Sequence, residues 1–366
     1  SLKETKKISL ISGRNVKKIV QKKIEASLVA SKIKSSWYLA KTNDQKTIQD
    51  IEKKVRQNKS ELIIGIGGGT GLSTLLRALR TKPVNLTAVI TVADNGGSSG
   101  RLRAEYGILP PGDFRNCLVA LSDAEPLLKE LFQYRFESNS DLNGHSFGNL
   151  FITAMEKITG SFEEAIKESS KVLNVTGDLI PSTFEQVNLI AKLKDGTIVE
   201  GESEITNSKS SIIDIKLNPK NVKASTQAIK AIKDSDAIII GPGSLYTSII
   251  PNLLVPEIVH EINKTNKPVI YICNIATQLG ETTGYDAESH LKTIKKFAPT
   301  LKVSSILVNS RIEDLGKTFP TSECVIKGNL NSSNIQVKYS DLMNINFKGH
   351  HDPEKLSKAI FEILNN

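Results

Sequence analysis

The stretch Gly65-Ile66-Gly67-Gly68-Gly69-Thr70-Gly71 lies between the apolar Leu62-Ile63-Ile64 and the helix-forming Leu72–Leu79. Its composition predicts a strand, a turn free of side chains and a helix N-terminus. Glycine lets a backbone turn at positive φ and bring its N–H groups against an anion, and the positive end of the following helix adds to the attraction. Gly67, Gly68, Gly69, Thr70 and Gly71 are therefore candidates to hold a phosphate, most naturally that of a nucleotide. The spacing excludes two familiar versions. From Gly65 the sixth position is Thr70 and from Gly67 it is Leu72, which breaks the Gly-x-Gly-x-x-Gly dinucleotide fingerprint, and no Lys follows Gly71 as a Walker A loop requires. A tight turn that only packs a strand on a helix is the competing reading.

Three more loops carry the same kind of chemistry. Ala93–Arg101 supplies a carboxylate, an amide, two hydroxyls, three glycines and a cation in nine residues; Gly241–Ser248 and Cys273–Thr282 are similarly dense in small polar groups. Short polar side chains and exposed backbone N–H groups suit sugar hydroxyls and phosphate oxygens. Gly243, Ser244 and Asn274 come from the last two loops. Asp94 has three readings: a ribose ligand, a ligand of Mg²⁺ bridging phosphates, or an Asx-turn residue. Beside it stands Asn95. In Pro110–Asn116, Asp113 reads as an N-cap and Arg115, next to Asn116, as a fork for phosphate. Gly144–Leu150 opens another helix, where His145 is a general acid, a phosphate donor or a structural residue, and Asn149 follows it. No Cys/His spacing suits zinc and no Gly-x-Ser-x-Gly elbow appears. No residue is nominated as catalytic.

Positioning these loops requires elements whose carboxyl ends meet. Apolar runs at Leu86–Val92, Ala237–Ile240, Val269–Ile272 and about 303–308 predict strands. They alternate with helical patterns at roughly 115–135, 146–173, 224–234, 252–264, 286–297 and 354–364. That alternation predicts an α/β fold, a Rossmann-like parallel sheet with helices on both faces, over residues 61–366. Asp195-Gly196, a hairpin turn between Val187–Leu193 and Thr197–Ser203, and a third run at Ser211–Leu217 predict an antiparallel β insert at about 185–217.

The formal charge of +9 is confined to one end: residues 1–59 hold 16 Lys+Arg against 5 Asp+Glu, the rest 32 against 34. Residues 1–60 read as a basic helical or partly disordered extension that could touch an anionic surface weakly or simply be solvated. A near-neutral body argues against nucleic acid as partner. Three scattered cysteines, Cys117, Cys273 and Cys324, and the lack of a long apolar run point to a reducing, cytoplasmic setting.

Taken together, Gly67–Leu72, Thr91–Arg103, Leu109–Leu118, Gly144–Leu150, Gly241–Val255 and Cys273–Thr282 resemble the gluconeogenesis factor family of bacteria, the YvcK-like proteins, with His351-Asp352-Pro353 matching a terminal motif. That family is in turn similar to the CofD-like 2-phospho-L-lactate transferases. The resemblance implies a UDP-sugar-binding regulator linking carbon metabolism to envelope synthesis and cell shape, with a ligand such as UDP-N-acetylglucosamine. It places Gly68, Gly69, Thr70, Asn149, Gly243, Ser244 and Asn274 near that ligand. Through the transferase relatives it implies Mg²⁺ beside Asp94 and, as an alternative, transfer of a phosphorylated group from a nucleotide diphosphate. A homo-oligomer is a further expectation. The chain departs from the family at Asn95, where a second Asp is usual, at Ala276 and Leu279, usually Met and Pro, and at His350, commonly Arg. The loss of a carboxylate at Asn95 weakens the case for Mg²⁺, and the loss of a permanent guanidinium at His350 weakens the hold on pyrophosphate.

Overall fold

Continuous apolar runs build the central sheet, because a strand covered on both faces needs no polar alternation. The structure, a computed structural model, describes residues 7–13, 34–40, 61–137, 139–208, 210–316, 321–330 and 335–365. The chain divides into two units, Ser1–Ser60 with Pro83–Asn85, and Glu61–Lys82 with Leu86–Asn366.

In the smaller unit β1 (Lys7–Gly13) and β2 (Lys34–Ala40) pair in parallel, from Lys7 opposite Lys34 to Gly13 opposite Ala40. These are strands where the sequence suggested helix. Ile8 and Leu10 alternate with Lys7 and Ser9, a period of two that the surrounding lysines obscure. The lysine pairs Lys17-Lys18, Lys22-Lys23 and Lys53-Lys54 lie outside the described residues.

The larger unit runs β3 (Leu62–Gly67), α1 (Gly69–Leu79), β4 (Asn85–Ile90), α2 (Gly97–Tyr106), α3 (Gly112–Leu121), α4 (Pro126–Gln133), α5 (Phe147–Thr159), α6 (Phe162–Val172), β5 (Asp178–Pro181), β6 (Asn188–Leu193), β7 (Ile198–Glu200), α7 (Glu202–Asn207), β8 (Ile212–Asn218), α8 (Thr226–Asp234) and β9 (Ala237–Ile240). It continues through a π-helical turn (Leu245–Ile249), α9 (Ile250–Leu253), α10 (Pro256–Lys264), β10 (Val269–Ile272), α11 (Ala287–Phe297), β11 (Ser305–Asn309), β12 (Gln336–Ser340) and α12 (Pro353–Leu364).

Seven parallel strands lie in the order β12-β11-β10-β9-β3-β4-β5. The chain starts the sheet at β3, builds one way through β4 to β5, then returns to add β9 on the other flank of β3. That reversal is the Rossmann strand order, and it opens a crevice past the carboxyl ends of β3 and β9. Ile63, Ile64, Ile66, Val89, Ile90, Ile238, Ile239, Ile240 and Ile272 are all fully or almost fully buried. Leu72, Leu75, Leu76 and Leu79 recur at helical spacing on α1 and close one face over β3.

The antiparallel insert is present as β7-β6-β8, turned at Gly196, where φ is +91°. Several predicted helices divide where the sequence carries a breaker: 115–135 at Pro126, 146–173 at Gly160 and 252–264 at Pro256. Residues 97–101, read as loop, begin α2. Gly100 permits this, since a Cβ there would stand 1.9 Å from the Asn95 carbonyl oxygen. Among the described residues no helix is long and apolar enough to cross a membrane, and Cys117, Cys273 and Cys324 are free thiols.

Candidate functional site

A cleft of roughly 190 Å³ occupies the crevice. Its walls are Gly68–Gly71 and Thr74 after β3, Pro242–Ser244 and Ser248 after β9, Asn274–Gln278 after β10, then Ser322 and Gly349–His351. The loops after β3 and β9 interlock through backbone. A Cβ on Gly71 would stand 2.3 Å from the Pro242 carbonyl oxygen, so only glycine allows this approach. Gly241 and Gly243 have φ of +78° and +157°, and the Gly241–Pro242 peptide is cis.

Side chains then fix the loops. The Gly243 N–H donates to Asn274 Oδ1 (3.1 Å), and Gln278 Nε2 donates to Ser244 Oγ (2.7 Å). Fully buried Asn252 reaches back, its Nδ2 donating to the carbonyls of Gly67 (3.2 Å) and Ser248 (2.8 Å). His351 is buried, with Nε2 3.2 Å from the Cys273 carbonyl oxygen, and burial pushes its pKa down to about 4, so it is neutral near pH 7. Its Nε2–H donates to that carbonyl.

Helix α1 has no side-chain cap and no acidic residue in its first turn; its N-cap is Gly68. The leading N–H groups of a helix have no partner within it and carry the positive end of the dipole. One is taken: Asp113 accepts a hydrogen bond from the Gly69 N–H. The reading of Asp113 as the cap of its own helix is thereby corrected. Pro111 is the N-cap of α3, and the Asp113 carboxylate serves α1, a partner that local sequence pattern cannot name because it is set by tertiary packing.

The predicted residues thus fall into two groups. Gly68, Gly69, Thr70, Gly71, Gly243, Ser244 and Asn274 line the cleft, with Gly67 directly behind it. Asp94, Asn95, Arg115, Asn116, His145 and Asn149 do not line it. Asp94 makes an Asx turn, Oδ1 accepting from the Gly96 N–H at 2.8 Å. Asn95 Oδ1 accepts from the Ser203 N–H (3.0 Å) and so ties the β insert to this loop. Asn116 Oδ1 accepts from Arg115 Nη2 (2.9 Å). Asn149 Nδ2 donates to Ser98 Oγ (3.1 Å) and Ser99 Oγ (3.5 Å), and Ser98 Oγ lies 3.0 Å from His145 Nδ1.

Asp113 separates the groups: a Cβ on Gly68 would meet its Oδ2 at 2.5 Å. Burial, then the nearby Asp94, push the Asp113 pKa up to about 7. Glu202, on α7 of the insert, is also pushed up to about 7 by burial, Asp94 and Glu281. Buried Glu281 itself rises to about 7, chiefly through burial. Glu202 and Glu281 carried no signal in the sequence, since only the docking of the insert brings Glu202 to Asp94. The test for Mg²⁺ is mixed. Among the described residues no group of three or more His, Cys, Asp or Glu is placed to hold a metal. Mg²⁺ is commonly held by one or two carboxylates together with substrate phosphates, and Asp94 beside Asp113 fits that more modest demand.

The strand order and the cleft define a Rossmann-type α/β protein with a glycine-lined cleft at its switch point. The family described as 2-phospho-L-lactate transferase CofD matches residues 63–342, and the chain belongs to that family. Within it the chain is similar to the gluconeogenesis factor of Bacillus subtilis, 52% identical over 67% of this chain and 77% of that protein. A relative from Nostoc sp. is 59% identical over 63% of this chain, a span that makes up 51% of the Nostoc protein. The crystal structure of a member of the UPF0052 family from Bacillus halodurans matches with a TM-score of 0.79 at 46% identity, covering 83% of this chain and 99% of that one. A second family, iron-containing alcohol dehydrogenase, matches residues 1–99, much of which lies outside the described residues.

Proposed function

We propose that the protein is a gluconeogenesis factor that works by binding a UDP-sugar, UDP-N-acetylglucosamine being the type ligand, and that reports carbon supply to envelope synthesis and cell shape in the cytoplasm. One observation carries this reading. Among the described residues, those lining the cleft include no Lys, Arg, Asp or Glu, while the N-terminus of α1, whose N-cap Gly68 has no side chain to offer, and the interlocked glycine loops face into it. Such a site holds a diphosphate by backbone N–H groups and leaves Ser244, Asn274 and Gln278 for sugar hydroxyls. A regulator needs the ligand to favour one conformational state, and loops interlocked through backbone are suited to respond as one unit. Titration with UDP-N-acetylglucosamine, followed by analysis of the recovered nucleotide, tests it: saturable binding with intact ligand is expected, and no binding contradicts it.

The second reading is a transferase of the 2-phospho-L-lactate type. It is favoured by the mutual repulsion of Asp94, Asp113 and Glu202, which a cation would relieve. Asp94 would then hold Mg²⁺, which neutralises charge on a leaving phosphate when bound. Conversion of the nucleotide during the titration selects this reading. Self-association is proposed as well, and sedimentation with and without nucleotide tests it.

A further inference from the structure

Beyond the cleft lies a cluster that the nucleotide reading does not use. Ser98 and Ser99 stand in the first turn of α2, Gly112 begins α3, and His145 and Asn149 flank the start of α5. Arg115 lies one turn into α3. The side chains are almost wholly buried: Asn149 is 2% exposed, Arg115 5% and His145 7%. Arg115 Nε and Nη1 and Asn149 Oδ1 are nonetheless buried without a hydrogen-bond partner. Leaving such groups unmet is costly, and a guanidinium more so than an amide.

The remaining bonds define what is missing. Ser99 Oγ accepts from the Gly112 N–H (3.1 Å) and from Asn149 Nδ2, which leaves its own O–H to donate. Ser98 Oγ accepts from Asn149 Nδ2 and lies 3.0 Å from His145 Nδ1, either of the two being able to donate. The groups seeking a partner are then three donors, Arg115 Nε and Nη1 and Ser99 O–H, and an acceptor, Asn149 Oδ1. Helix α2, which has no side-chain cap, adds its positive end. Gly97 marks an opening: it is exposed, and a Cβ on it would have nothing within 4 Å.

We propose that Ser98, Ser99, Arg115, His145 and Asn149 form a second anion subsite, for a small phosphate-bearing molecule with one free O–H, divided from the glycine cleft by the Asp113 carboxylate. Three donors match phosphate oxygens, and Asn149 Oδ1 takes the O–H. The protein therefore holds two anionic ligands at once. Only this last consequence rests on the nucleotide reading of the cleft.

Calorimetric titration of the full chain with inorganic phosphate, without Mg²⁺ and with or without saturating UDP, is the test. With UDP present, one phosphate is expected to bind, and Arg115→Gln is expected to weaken it at least tenfold while UDP affinity stays within threefold. Ser99→Ala, a smaller change less able to disturb folding, should weaken phosphate about fivefold. Should UDP not bind, the cleft reading fails, but loss of phosphate binding in both variants still supports the subsite. Displacement of all phosphate by UDP, no phosphate binding by the unaltered protein, or phosphate binding indifferent to both substitutions would overturn the proposal.

Discussion

Two neighbouring regions of this molecule present polar groups in opposite ways. In the cleft past β3 and β9 the donors belong to the backbone, and side chains such as Asn252, Asn274 and Gln278 hold that backbone in place. Around Asp94 and Arg115 the side chains themselves meet at the starts of α2, α3 and α5. Helices α1, α2 and α3 begin at Gly68, Gly96 and Pro111, none of which caps with its own side chain, whereas α5, α6, α8, α11 and α12 are capped by Ser146, Ser161, Ser225, Asp286 and Asp352. A cap satisfies the N–H groups that an anion would otherwise meet. Three helix starts whose N-cap residues offer no side-chain cap thus border the proposed ligands.

The strongest way to break the contrast is at Gly71. Replacing it with Val drives a side chain into the Pro242 carbonyl, and should cost more than a hundredfold in nucleotide affinity together with several degrees of melting temperature. Calorimetry and thermal melts check this. Asn252→Ala removes the tether between the loops after β3 and β9, and about 1–3 kcal/mol of stability should go with it, measured by denaturant unfolding.

A subtler probe uses charge. Folded Asp113 holds its proton up to about pH 7, whereas an unfolded Asp has lost it by about pH 4. The folded state thus binds more protons across that window, and the Asp113 contribution to stability falls as pH rises through it. Asp113→Asn stays neutral, so its advantage over the unaltered protein should be near zero at pH 4, grow through pH 7 and level off above pH 8. Melts across that range decide it; a pH-independent difference would show that Asp113 does not titrate as described. The smallest effect is expected at Asn274→Ala, which removes the acceptor of the Gly243 N–H and should weaken nucleotide binding about fivefold, equivalent to about 1 kcal/mol.

The contrast also explains what could be read in advance. A backbone site demands glycine at particular places, so Gly68–Gly71 and Gly241–Gly243 announced themselves, and apolar runs located β3, β4, β9, β10 and β11. Edge strands were silent: β12, Gln336–Ser340, is half-exposed and polar, and β5 is four residues ending in Pro181. Helix α2 was hidden by glycines that disfavour helix and are required here by close approach to Asn95. The division of the predicted residues into two groups was not legible, because Asp113 lies between them only through its bond to a helix start 44 positions earlier in the chain. Nor was Glu202, carried to Asp94 by the insert that Asn95 and Ser203 fasten.

The most direct test of the central claim is calorimetric titration of the purified chain with UDP-N-acetylglucosamine, with and without Mg²⁺, comparing the unaltered protein with Gly71→Val. Saturable binding by the unaltered protein, intact nucleotide afterwards and loss of binding in the variant are the predicted results. Absence of binding, or equal binding by both proteins, would contradict a nucleotide-sugar site in the glycine cleft.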